Sequence, residues 1–162
     1  KQSFILMSEL ENKTSMHDFC DEQKVPCTPD LKQAMITALA KTIRKMHALG
    51  VNHRDCYLVH VWFDNALFQQ GSIQLCLHDF HRAHVRKKIS RRWRVKDLAS
   101  LYFSSINFGL TQKDIEFFLT IYFQQDFKTI AKQHAALLHA IEKKAHRLYQ
   151  REFGKKASLS HG

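Results

Sequence analysis

Apolar positions recur at helical spacing over long stretches of this chain and at strand spacing over only a few short ones. Leu31, Ala34, Met35, Ala38, Leu39, Met46 and Leu49 trace one stripe of a helix. Thr28 offers an N-cap, Pro29 suits the first helical position, Asp30 complements the dipole and Gly50 fits the C′ position, so a helix is predicted over residues 30–49. Val95 to Ser105 reads as a second helix. Thr111 with Asp114 forms a capping-box pattern that opens a third, continued by Ile115 to Phe123. Asp126 is placed to cap one last long helix, whose buried stripe runs from Phe127 and Ile130 through His134, Leu137, Leu138, Ile141 and Ala145 to Leu148.

Strand-like runs are few. Phe4 to Met7 is one; Tyr57 to Phe63 and Ile73 to Leu77 are two more, and Asp64, Asn65, Gly71 and Ser72 between them predict a hairpin. The polar stretch Glu11 to Ser15 reads as a connector, and Met16 to Cys20 as a short helical turn. With only five glycines and two prolines in 162 residues, the expected fold is mainly α with a small β-hairpin.

Composition narrows the class. The chain is 44% hydrophobic and holds 12 phenylalanines, enough apolar mass for a sizeable core, which excludes a wholly disordered segment. Cys20, Cys27, Cys56 and Cys76 form no CxxC pair, so a zinc ribbon or disulfide scaffold has little support and reduced thiols are expected. No apolar run approaches the roughly 20 residues of a membrane span. The net charge is +10, but its placement matters more. Residues 82–96 carry eight basic and no acidic side chains, while residues 97–126 carry one basic and four acidic ones.

Candidate chemistry lies just before that basic segment. A helix end leads into Asn52-His53-Arg54-Asp55; the hairpin follows, and at its far end stands Leu77-His78-Asp79-Phe80. Two carboxylates at the two ends of one hairpin are held near each other. That order suits phosphoryl transfer, in which one carboxylate accepts the proton of an attacking hydroxyl and another holds Mg²⁺ against nucleotide phosphates.

Three ordered motifs sharpen the reading: Asn52-His53-Arg54-Asp55-Cys56-Tyr57, Asp79-Phe80-His81-Arg82-Ala83, and Arg91-Arg92-Trp93-Arg94-Val95-Lys96-Asp97 running on to Ser105. Together they resemble the lipopolysaccharide core heptose(I) kinases of Gram-negative bacteria, close relatives of the Kdo kinases, which have a protein-kinase-like fold. The resemblance extends from about Ser3 to Tyr149. It implies that Asp55 is the catalytic base, that Arg54 and His53 brace its loop, and that Asp79 binds Mg²⁺. His60 stands where most protein kinases place an Asn that holds a second metal, and burial as a core histidine is an equal alternative for it. Asp97 resembles the buried carboxylate that anchors the catalytic loop from below. Ser8 and Leu10 fall in the hinge that offers backbone groups to the adenine of ATP.

The resemblance also implies a division of the chain: a hinge strand over residues 1–10, a kinase-like C-terminal lobe over 11–153, and a tail over 154–162. The glycine-rich loop and strand lysine of a complete kinase have no counterpart in these residues, so an N-terminal lobe is expected upstream of Lys1 and the fragment alone is expected to be inactive. Arg82, Arg86, Arg91 and Arg92 lie where a kinase fold receives its acceptor. A phosphorylated, Kdo-bearing glycolipid at an anionic inner-membrane surface would be attracted there, which implies a cytoplasmic protein peripheral to that membrane. A solvated face is the bland alternative, and nucleic acid the weakest reading. His78, His81 and His84 with Cys76 match no closed zinc motif. The remaining alternatives are a Kdo kinase and a non-catalytic basic module that binds membranes or acidic partners.

Overall fold

A computed structural model describes residues 12–21 and 28–155. The hinge residues Ser8 and Leu10, the expected strand Phe4 to Met7 and most of the tail lie outside the described residues. The elements run β1 (Lys13–Ser15), α1 (Met16–Asp21), α2 (Pro29–Ala48), β2 (Val51–Asn52), β3 (Val61–Asp64), α3 (Asn65–Gln69), β4 (Leu75–Leu77), β5 (His84–Val85), α4 (Arg91–Ser105), α5 (Gln112–Phe123), α6 (Phe127–Gln133) and α7 (Ala135–Phe153). The fold is mainly helical with two small antiparallel sheets, ordered β1-β3-β4 and β2-β5.

Helix α2 starts and stops where its caps dictate. The Thr28 hydroxyl accepts the Leu31 N–H at 3.2 Å, and Pro29 occupies the first turn. Its apolar stripe, with Met35, Leu39, Ile43 and Met46, enters a common core with Leu98 and Leu101 of α4, Tyr122 of α5, and Leu137 and Ile141 of α7. α4 packs against α7, and α2 against α5. Ala99 and Ala145 are wholly buried. Side chains such as Ile43 and Val61, fully withdrawn from water, each contribute about 1.5–3 kcal/mol to folding.

Five local expectations need correction. Lys13–Ser15 is a strand, not a connector; three residues are too few to show a period, and the pairing comes from β3, with Lys13 Nζ 2.7 Å from Asp64 Oδ2. The β-rich run Tyr57 to Phe63 is strand only from Val61. Leu58–His60 is a 3₁₀ turn closed by the His60 N–H to Tyr57 carbonyl bond of 2.9 Å, which lets Leu58 enter the core. α4 begins at Arg91, four residues before its apolar pattern does. The single long helix after Asp126 is two helices, because the backbone at His134 (φ −116°, ψ 12°) leaves helical geometry. Tyr149, rather than Leu148, continues the buried face of α7.

Gly50 sets the geometry of everything after α2. Its φ is +76°, and a Cβ there would lie 1.7 Å from the Arg86 carbonyl oxygen, so only glycine fits. The Arg86 N–H donates to the Gly50 carbonyl at 2.9 Å. Next to that bond, β2 pairs with β5, Val51 opposite Val85 and Asn52 opposite His84. The basic segment is thereby folded back onto the loop that carries Asp55.

Candidate active site

The loop of Asp55 is held from beneath. Asp97, fully buried near the start of α4, accepts the His53 N–H at 2.9 Å through Oδ2 and the Arg54 N–H at 2.8 Å through Oδ1. Its Oδ2 also receives His47 Nε2–H from the end of α2, at 3.2 Å. On the other side of that ring, His47 Nδ1 lies 2.6 Å from the Tyr122 hydroxyl. Burial pushes the Tyr122 phenol up to about 12, so it keeps its proton and can donate to His47. The chain Tyr122, His47, Asp97 therefore ties α5 and α2 to the Asp55 loop. Sequence reasoning missed His47 and Tyr122; each sits on an apolar helix face where it reads as core.

Asp55 is buried except for 9% of its surface. Its Oδ1 faces two cations, Arg82 Nη1 at 3.0 Å and Lys96 Nζ at 3.6 Å. Its Oδ2 is buried with no hydrogen-bond partner among the described residues. Arg54 adopts the left-handed backbone (φ 75°), and its guanidinium lies 4.6 Å from the centroid of Trp93.

His53 and His60 connect this loop to that of Asp79. The buried His53 ring donates from Nε2 to the His78 carbonyl at 2.9 Å and packs 4.6 Å from the Phe80 ring. Burial holds the His53 imidazole below its usual range, keeping it neutral. His60 stacks on His53 with the rings 5.8 Å apart and donates Nδ1–H to the Asp55 carbonyl at 2.7 Å. The other nitrogen, Nε2, lies 3.4 Å from Asp79 Oδ2. Asp79 is also left-handed (φ 62°), bonds His81 Nδ1 through Oδ1, and is held below the usual carboxylate range chiefly by that bond.

Among the described residues no group of three or more His, Cys, Asp or Glu side chains is arranged to hold a metal unaided. The donor set nevertheless fits Mg²⁺ of the kind that takes one or two carboxylates and completes its shell with phosphate oxygens and water. Asp79 is partly exposed and ionised. His60 donates Nδ1–H to the Asp55 carbonyl and turns Nε2 toward Asp79 Oδ2 at 3.4 Å, beside the carboxylate a cation would meet. Imidazole is a poor Mg²⁺ ligand, so the carboxylate is the natural contact.

The arginines expected to meet an acceptor divide. Arg82 touches Asp55. Arg91 donates to the Ala136 carbonyl at 2.7 Å, and Arg92 lies 5.1 Å from the Trp93 centroid. Arg86 is exposed and contributes its backbone at Gly50. A separate apolar cavity of about 610 Å³ lies between α2, α4, α5 and α7, lined by Met35, Leu39, Leu98, Leu101, Phe118 and Ile141 among others.

A helical lobe that bolts an Asp-bearing loop onto a buried helix carboxylate, and faces it with a second Asp across a short hairpin, is the C-terminal lobe of a protein-kinase-like fold. The chain belongs to the lipopolysaccharide kinase (Kdo/WaaP) family, whose model matches residues 1–122. It is 40% identical over 160 residues to an Escherichia coli lipopolysaccharide core heptose(I) kinase WaaP, covering 96% of this chain and 59% of that protein. The Pseudomonas aeruginosa protein of the same name is 39% identical over 154 residues, covering 94% of this chain and 58% of the relative. A solved structure of WaaP in complex with acyl carrier protein superimposes with a TM-score of 0.79 at 38% identity, covering 87% of this chain and 59% of that one. The chain thus spans about three fifths of the length of the relatives it matches.

Proposed function

We propose that the chain is the catalytic-loop lobe of a lipopolysaccharide inner-core kinase that transfers the γ-phosphate of ATP to a heptose hydroxyl. The observation that carries this is the pairing of Asp55 and Asp79 through His60, on a loop anchored by Asp97. Asp55 Oδ2, its unengaged oxygen, accepts the hydrogen bond and then the proton of the acceptor hydroxyl. That hydroxyl oxygen forms the new bond to the γ-phosphorus as the β–γ bridging bond breaks and ADP leaves. Asp79 would hold Mg²⁺, which supplies charge neutralisation of the phosphates when bound. His60 positions both carboxylates. Arg54 keeps the loop in register, and the hinge around Ser8 and Leu10 serves adenine.

The basic segment from Arg82 to Lys96 supports attraction of an anionic glycolipid at the cytoplasmic face of the inner membrane. No helix among the described residues is long and apolar enough to cross a membrane. The test uses the full product of the gene with ATP, Mg²⁺ and purified inner-core acceptor, supplied with and without heptose. Transfer that needs heptose supports the reading; transfer to the heptose-free acceptor would identify a Kdo kinase instead. Asp79→Ala is expected to weaken Mg²⁺-dependent nucleotide binding at least tenfold by calorimetry, and unchanged binding would remove Asp79 from the metal site. A non-catalytic module would bind no nucleotide at all.

Acyl carrier protein is a second partner suggested for this chain, extending the complex recorded for the solved relative. The supporting observation is the cavity of about 610 Å³, whose aliphatic and aromatic walls suit an acyl chain. Acyl carrier protein bearing a long fatty acyl group should bind at least tenfold tighter than its unacylated form. Equal affinity would show that the cavity is not used.

A further inference from the structure

Beside the candidate active site lies a second concavity, which gathers part of the basic segment with cations from outside it. It has a volume of about 500 Å³ and is lined by Arg54, Arg91, Arg92, Trp93, Lys96 and Lys144, with Val95 and Ala140. Among the described residues five cations line it and no carboxylate does. Three come from α4, one from the Asp55 loop, and Lys144 from α7, so tertiary packing gathers charges that are remote in the sequence. Arg54 and Arg92 both pack on the Trp93 indole, at 4.6 and 5.1 Å, and Arg54 Nε is buried with no hydrogen-bond partner among the described residues. Like charges that converge on one ring repel, and the arrangement gains stability when an oxyanion enters.

Lys96 joins this cavity to the chemistry, because its Nζ lies 3.6 Å from Asp55 Oδ1. Burial holds the Lys96 ammonium below its usual range, and the neighbouring Arg82 and Arg54 charges push the same way. An anion in the cavity would offset that crowding. We propose that this concavity is a subsite for an anionic sugar substituent, a phosphate monoester or a carboxylate, on the residue of the acceptor next to the hydroxyl presented to Asp55. Arginine matches such groups bidentately, and two lysines add point charge without demanding one geometry. The subsite selects acceptors that already carry an anionic group, and it fixes the distance from that group to the reacting hydroxyl. The inference rests on the kinase reading for the identity of the acceptor but not for the binding of the anion.

Two measurements on the full gene product test it. Calorimetry at constant ionic strength with mannose 6-phosphate, glucuronate and mannose as probes should give saturable binding for the two anionic sugars and none for mannose. Arg92→Gln with Lys144→Gln should weaken that binding at least tenfold, and the single Lys144→Gln, at a half-buried surface position, serves if the double variant folds poorly. The exposed Lys143→Gln removes the same charge one residue away and should leave affinity within twofold. In the transfer assay the double variant should raise the acceptor KM about tenfold with kcat within twofold and the KM for ATP unchanged.

Equal binding of mannose, or unchanged probe affinity in the double variant, would overturn the subsite even while transfer proceeds normally. It would fall equally if Lys143→Gln weakened binding as much as Lys144→Gln, since net charge alone would then be responsible. If instead anionic probes bind as expected and no phosphate is transferred to any acceptor, the subsite stands and the kinase reading falls.

Discussion

Asparagine in place of Asp55 should lower phosphate transfer by the full gene product about a thousandfold, within the 10²- to 10⁴-fold range of a lost general base. The substitution is nearly isosteric. An amide oxygen can still accept from Arg82, which in the native protein reaches Asp55 Oδ1 at 3.0 Å, so the loop keeps its place. What disappears is an acceptor able to take a proton at the position of Oδ2. The rate should therefore fall while the KM for ATP and the melting temperature change little. Retention of more than a tenth of the native rate would mean that Asp55 does not act as the base, and that the carboxylate is there to balance Arg82 and Lys96.

Asp97→Ala should act in the opposite manner, through the fold first. It removes the acceptor of the His53 and Arg54 backbone N–H groups and of His47 Nε2–H, at a site fully shielded from water. Stranding buried donors in this way typically costs about 3–5 kcal/mol, a large part of the roughly 5–15 kcal/mol that stabilises a domain. At about 2–4 °C per kcal/mol for a chain of this size, the melting temperature should drop by about 10 °C. Activity should fall further than the unfolded fraction accounts for, because the surviving folded molecules no longer hold Asp55 in register. A melting temperature within 2 °C of the native value would show that the loop is fixed by other contacts.

What could be read in the residues, and what could not, divides along physical lines. The ends of α2 were legible because caps act within four residues: Thr28, Pro29 and Gly50 are local instructions. The same holds for the capping box of Thr111 and Asp114, in which both reciprocal bonds form. β1 was not legible, since its three residues become a strand only by pairing with a partner about 50 residues later. Nor was the start of α4 at Arg91. Its buried residues Asp97 to Leu101 are consecutive rather than periodic, so no stripe extends back to mark where the helix begins.

The site divides in the same way. Asp55 and Asp79 could be singled out because they sit in compact motifs at the ends of one hairpin. The order of Tyr122, His47 and Asp97 along one hydrogen-bonded chain could not, for its members come from three helices. Lys144 carries no local signal that sets it apart from the other basic residues of α7. Only the packing of α7 on α4 turns it toward Arg54 and Arg92 and gives its charge a purpose.

The contact between Gly50 and Arg86 has one more consequence. That backbone bond, with the two residue pairs of β2 and β5 beside it, is the neck of a closed ring of chain that contains both Asp55 and Asp79. Opening of that neck alone would leave Asp55 held by Asp97 and Asp79 held behind the β3–β4 pairing, so amide protection at Arg86 should be lost before that at His53 and Arg54.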